Sequence, residues 1–376
     1  MTIRVCALIG AVFAMVLDAQ CLRASSLSLE NIKLPPGFSI TVYATGVTNA
    51  RGMVLGENGT LFVGSRKEGR VYAVVDENGD YKADRVFTID KDLAMPVGVA
   101  FRNGALYVSA VSRILRYDDI EQLLKDPPEP IVITDRLPKD THHGWKYLAF
   151  GPDGKLYVAV GVPCNICAAD FNRYGHIARM NPDGSGYEVV AYGIRNSVGF
   201  DWDPSNKQLW FTDNGRDWMG DDQPPDELNH APKDGLHFGY PHCHGKAIVD
   251  PEFGKDHSCS NFRAPALELG AHVASLGMRF YSGSMFPAEY RGRIFIAEHG
   301  SWNRSKKIGY RITLATPGKD GKWSYSTFAE GWLQGEQPWG RPVDILQMPD
   351  GSLLVSDDEA GVIYRIAYEG HQKKGP

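Results

Sequence analysis

Residues 148–160 read LAFGPDGKLYVAV: an aliphatic strand, a Gly/Asp turn, and a second aliphatic strand. The phrase returns nearly intact at 345–356 (ILQMPDGSLLVS). Looser copies stand at 53–64 (MVLGENGTLFVG), 99–109 (VAFRNGALYVS) and 200–212 (FDWDPSNKQLWFT), and across 278–297, where the turn is a longer insert. A repeat unit built from hairpins cannot bury its own faces. Radial stacking buries them and protects most strand edges. The repeat therefore predicts an all-β fold, a six-bladed β-propeller of four-stranded antiparallel blades. Its functional residues are expected in the loops at one mouth of a central channel.

Six marker strands begin at Leu61, Leu106, Leu156, Leu209, Ile294 and Leu353. Their spacings are 45, 50, 53, 85 and 59 residues, and most fit one four-stranded blade. The interval of 85 holds a Gly-, Pro-, Asp-, His- and Cys-rich stretch at 213–265. Loops longer than about 15 residues without structure of their own are usually functional or disordered. Further strands are expected at 70–75, 113–117, 176–180 and 362–367, and one short helical turn at 120–125. The last blade is one strand short. The alternating segment Phe38–Thr45 (FSITVYAT) precedes the first blade and is expected to complete the last, closing the ring.

The composition is that of a globular protein, 43% hydrophobic and 23% charged. The net charge of −5, with no basic stripe, excludes nucleic acid as an expected partner. The N-terminus reads as an export signal over residues 1–24: Arg4, an apolar run at 5–17, then small residues before Ser25. An uncleaved anchor is the competing reading, but the run is short for a bilayer span. No later segment is long and apolar enough to be transmembrane. Residues 25–376 are then one periplasmic or secreted propeller domain. Its four cysteines, Cys164, Cys167, Cys243 and Cys259, suggest two disulfides in an exported chain. Nearest-neighbour pairing gives Cys164–Cys167 and Cys243–Cys259, with a structural zinc site as the alternative. The CNIC segment lacks the following His that haem attachment needs.

Six stretches could carry chemistry. THHGW at 141–145 offers His143, a group able to take a proton near neutral pH. GIRNS at 193–197 offers Arg195, whose donor fork suits carboxylates, and Asn196. DNGRD at 213–217, with Asp221, Asp222 and PDELN at 225–229, is the densest oxygen cluster and suits calcium, though its spacing is not that of an EF-hand. HFGYPHCH at 237–244 could hold a transition metal, or simply pack its loop. EHGSWNR at 298–304 and WGRPVD at 339–344 each set an Arg beside a Trp, Arg304 and Arg341, a pairing able to grip a flat anionic ring. His143, Arg195 and Arg341 precede the marker strands of blades three, four and six, and such loops converge at one mouth.

With these segments the chain resembles the soluble quinoprotein glucose/sorbosone dehydrogenases, which use pyrroloquinoline quinone (PQQ). The resemblance runs from about Leu34 to Tyr368. It rests on His143 before GPDGKLYV, GIRN-x-x-G at 193–199, DNG followed by DELN, and GR-x-x-D at 340–344; EHGSWNR and GRPVD place it nearest the sorbosone-dehydrogenase-like branch. It implies a six-bladed propeller that oxidises an aldose or sugar aldehyde with PQQ and calcium. His143 would be the catalytic base. Arg195 and Asn196 would hold PQQ, Arg195 also stabilising charge on the quinone oxygen. Arg341 would bind a PQQ carboxylate. Gly215 and Arg216 would ligate the PQQ-bound calcium through backbone carbonyls, and Asp226 and Glu227 a second, structural calcium.

The chain departs from the family pattern at four places. His142 replaces an Asp before the base, and Arg216 replaces a Pro. Val343 replaces a second PQQ-binding Arg, whose charge Arg304 is expected to supply. Phe238 replaces a Tyr at the structural calcium. No haem domain is present, so a separate electron acceptor, a cytochrome or a quinone, is expected. No GxGxxG strand-turn-helix argues for a nicotinamide cofactor. A calcium-dependent sugar lactonase and a non-catalytic carbohydrate-binding propeller are the alternatives, since one fold hosts many functions.

Overall fold

The computed structural model describes residues 27–370, and the export signal read at 1–24 lies outside them. The hairpin phrase forms the first two strands of a blade. In blade three Leu148–Phe150 pairs antiparallel with Leu156–Val160, and Phe150 faces Leu156. The turn between them closes through Gly154, whose φ of +77° is the left-handed conformation that glycine adopts without strain. His176–Met180 and Glu188–Tyr192 complete the blade.

Six such sheets form the ring. Their first strands are Ala50–Leu55, Val99–Arg102, Leu148–Phe150, Phe200–Trp202, Ser275–Phe280 and Pro342–Gln347. The marker strands are all second strands. All six are buried along their whole length. A blade is covered on both faces by its neighbours, so its middle strands read as continuous aliphatic runs rather than as alternation. The hydrophobic cores lie between blades. Phe62 and Val71 of blade one, for example, pack with Leu106 and Val108 of blade two, and all four are fully buried. Each buried Leu, Val or Phe contributes roughly 1.5–3 kcal/mol, so every blade interface is a small core.

Phe38–Thr45 pairs antiparallel with Val362–Tyr368 and becomes the outer strand of blade six, as the sequence predicts. The short helical turn is a single 3₁₀ turn, Ile120–Gln122. The long insertion of blade four is ordered. Leu236–His237 joins blade three as a fifth, parallel strand. Cys243–His244 and Ile248–Val249 form a small hairpin, which the Cys243–Cys259 disulfide ties to the turn Cys259–Asn261. Cys164–Cys167 is the second disulfide. Both pairings are the nearest-neighbour ones, which removes the zinc alternative.

Candidate active site

The connections at one mouth of the channel enclose a cavity of about 390 Å³, within the size range of small-molecule cofactor sites (~300–1,000 Å³). His143, Arg195, Asn196, Gly215, Asp226 and Arg341 all line it.

His143 sits in the loop entering blade three, at φ +49° and almost fully buried. Its Nδ1–H donates to the Val162 carbonyl at 2.9 Å. That bond fixes the tautomer and leaves the lone pair on Nε2. Burial, then the charges of Arg195 and His142, hold its pKa well below the ordinary histidine value. The imidazole is therefore neutral and able to accept a proton at neutral pH. Gly161 makes the approach possible, because a β-carbon there would stand 2.6 Å from His143 Cβ.

Arg195 and Asn196 follow the last strand of blade three. Both backbone N–H groups donate to Asp213, at 2.9 and 2.6 Å. The Arg195 guanidinium donates to the Asn165 carbonyl and side chain, both at 2.8 Å, to the Asn214 carbonyl at 3.2 Å, and to Asp217 at 3.2 Å. Asn196 accepts from Trp145 Nε1 at 2.9 Å and donates to Asn214 at 3.0 Å. These contacts hold both residues in place with no ligand required. Arg341 donates to the carbonyls of His299 and Gly300, both at 3.0 Å, and stacks over Tyr310.

Arg304 is not among the lining residues. Its guanidinium turns onto the blade-four insertion, donating to the Asp221 carbonyl and to Asp222. The positive charge expected from it comes from two residues the sequence reading missed, Arg51 and Arg66. Arg51 is 2% exposed and pairs with Asp358 at 2.9 Å, yet its buried Nε has no hydrogen-bond partner. Arg66 stacks on Trp145 at 4.5 Å and makes no ion pair among the described residues. Arg51 is the second residue of its blade's first strand and Arg341 immediately precedes that of blade six, so the rule of looking ahead of the marker strands, applied to blade one, would have found it. His299 was likewise missed. It lines the cavity and donates through Nε2 to Asp358 at 2.7 Å, and burial lowers its pKa to about 4.

The four arginines and the orphaned Arg51 Nε fit a flat ligand with several carboxylates. For calcium the fit rests on backbone oxygen. Among the described residues neither the Gly215 nor the Arg216 carbonyl accepts a hydrogen bond, and hard cations take such oxygens. The Arg216 side chain points to Asp250 at 2.7 Å and Glu252 at 2.8 Å. Asp226 and Glu227 are not brought together. Adjacent strand residues face opposite sides. Asp226 accepts from Gly215 N and Ser275 N, whereas Glu227 accepts from Gly245 N and Asn229. Glu227 instead stands across from Asp213, and burial together with that charge raises its pKa. Among the described residues no three His, Cys, Asp or Glu side chains are grouped to hold a metal.

A six-bladed propeller presenting four arginines and a tautomer-fixed histidine to one cavity is built for an anionic small molecule. The chain belongs to the TrAA12-like family, whose pattern matches residues 32–369. An uncharacterized protein of Borreliella burgdorferi is 36% identical over 357 residues, covering 90% of this chain and 92% of its own. A pyrroloquinoline quinone-dependent sugar dehydrogenase of Hypocrea jecorina is 24% identical over 296 residues, covering 65% of this chain and 69% of its own. The calcium structure of a Trichoderma reesei enzyme of carbohydrate-active family AA12 has the same fold, with a TM-score of 0.77 at 20% identity, covering 90% of this chain and 97% of that one.

Proposed function

We propose that the protein is an exported, PQQ- and calcium-dependent dehydrogenase that oxidises an aldose or a sorbosone-like sugar aldehyde by hydride transfer to PQQ. The observation that carries this reading is the pairing of a neutral, oriented imidazole with an arginine-lined cavity. The sugar dehydrogenase of Hypocrea jecorina supports the cofactor and the substrate class. When bound, PQQ supplies the hydride-accepting carbonyl, and calcium acts on it as a Lewis acid.

The chain's own residues do the rest. His143 Nε2 takes the proton of the substrate hydroxyl. The Val162 carbonyl holds the ring, so the lone pair faces one direction throughout. Arg51, Arg66 and Arg341 would hold carboxylates, and Arg195 would stabilise negative charge on the quinone oxygen. Gly215 and Arg216 offer backbone oxygen to the ion. A lactonase would need acidic metal ligands gathered in the channel, and among the described residues no three His, Cys, Asp or Glu side chains are so grouped.

The test is an absorbance titration of calcium-loaded apoprotein with PQQ, followed by a panel of sugars and aldehydes. Saturable binding and reduction of the quinone by a sugar are expected. Folded, calcium-loaded protein that binds no PQQ overturns the assignment.

A further inference from the structure

The rim of the cavity carries an aromatic feature to which the proposed function gives no role. Trp218 and Trp302 are 68% and 65% exposed, more than any other large apolar side chain described. They come from different blades, yet their ring centroids lie 5.4 Å apart with planes at 86°. The two indoles form an open corner. Trp302 also lines the cavity, so the corner continues the site outward.

The corner is built, not incidental. Asn303, beside Trp302, donates to Asp217, beside Trp218, at 3.2 Å. The other Asp217 oxygen accepts from Arg195, which ties the corner to the cavity wall. Ser305 N and the Arg304 guanidinium clamp the same two loops together through Asp221 and Asp222. Trp218 itself sits at φ +71°. A bulky side chain in left-handed backbone is strained and persists where the surroundings impose it.

We infer that the Trp218–Trp302 corner is an outer sugar subsite. It binds the pyranose ring next to the one being oxidised, so the preferred substrate is the end of an oligosaccharide. This rests on the dehydrogenase reading above. An indole face matches the flat C–H face of a pyranose, while the surrounding Asp217 and Asp222 carboxylates accept from ring hydroxyls. A stable protein interface buries roughly 1,200–2,000 Å², far more than two side chains supply.

The test uses the PQQ- and calcium-loaded enzyme, the best monosaccharide of the panel, and its 1,4-linked dimer and trimer. The wild-type KM should fall roughly tenfold from monomer to dimer, a factor equal to about 1.4 kcal/mol of binding. Trp218→Asn removes the indole and keeps a residue that tolerates left-handed backbone. The variant should lose the dimer's advantage and leave the monosaccharide's kcat and KM unchanged. Independently of turnover, a non-reducing oligosaccharide glycoside should change the tryptophan fluorescence of the unloaded protein saturably, and much less in the variant.

Equal KM values for monomer and dimer, with the quinone still reduced, overturn the subsite and spare the dehydrogenase. Saturable fluorescence binding without any sugar oxidation does the reverse. A variant that raises KM only for a protein electron acceptor makes the corner an acceptor dock and overturns the proposal.

Discussion

His143 owes its chemistry to backbone placement. A left-handed φ turns it inward, the Val162 carbonyl sets its tautomer, and burial keeps it neutral. His143→Asn should therefore keep PQQ bound while kcat falls about 10²–10⁴-fold, the usual contribution of a general base; stopped-flow reduction of the bound quinone measures this. The lowered pKa also sets the sign of the pH dependence. A base whose pKa lies below 6.5 stays deprotonated to lower pH, so the acid limb of kcat/KM should fall below pH 6.5. A limb centred above that value would remove His143 from the role. Arg66 makes no ion pair among the described residues, so Arg66→Gln should weaken PQQ roughly tenfold or more while Tm changes little. Paired titration and thermal melts separate the two effects. Among the cationic residues, Arg195 and Arg341 were legible because a fixed position in the repeat points to the mouth. Arg304 misled, because its sequence neighbour Trp302 does line the cavity, whereas the guanidinium is captured by acids of a different blade's insertion, more than eighty residues earlier.

Strands and disulfides were read more fully than the connections that use them. The marker strands declare themselves because both faces are buried, so composition alone identifies them. The CNIC segment shows what such reading leaves out. Its disulfide was expected, but its purpose lies thirty residues away. Cys164 and Cys167 bracket Asn165, whose carbonyl and side chain together hold the Arg195 guanidinium. Asn165 also accepts from Asp217 N at 2.8 Å, so one turn positions a cation and its counter-ion. The two disulfides should then separate by phenotype. Replacing Cys243 and Cys259 with Ser frees a loop spanning 16 residues and should cost about 3 kcal/mol of stability by chain entropy. Replacing Cys164 and Cys167 frees a far shorter loop, so stability should fall less while PQQ affinity and kcat fall together. Denaturant midpoints and cofactor titrations on the two double variants check this. Equal losses of stability with no change in cofactor affinity would make the CNIC turn a staple only.

The ring closes where the site is densest in charge. Arg51 belongs to blade one, its partner Asp358 follows the second strand of blade six, and His299 of blade five shares that carboxylate. Closing the ring therefore assembles the cationic wall. The closing strand was legible for a counting reason: three strands were read in blade six, and the alternating segment Phe38–Thr45 precedes blade one without belonging to it. Phe38 shows what holds it, with its ring set edge-on to Phe286, Tyr290, Phe328 and Tyr368. Tyr43 and Ala44 lie in the core between blades six and one. A chain beginning at Gly46 loses these contacts and leaves Val362–Tyr368 as a bare edge, itself an aggregation hazard. Several buried apolar side chains at roughly 1.5–3 kcal/mol each approach the whole stability of an ordinary domain, about 5–15 kcal/mol. The shortened chain should thus show a much lower denaturant midpoint. It should also fail to bind PQQ under conditions where its circular dichroism still reports β-sheet, because the seam between blades six and one opens first. Supplying Phe38–Thr45 as a separate peptide should restore binding in proportion to its occupancy. An unchanged midpoint, or full cofactor binding without the strand, would mean that the blade interfaces alone hold the ring shut.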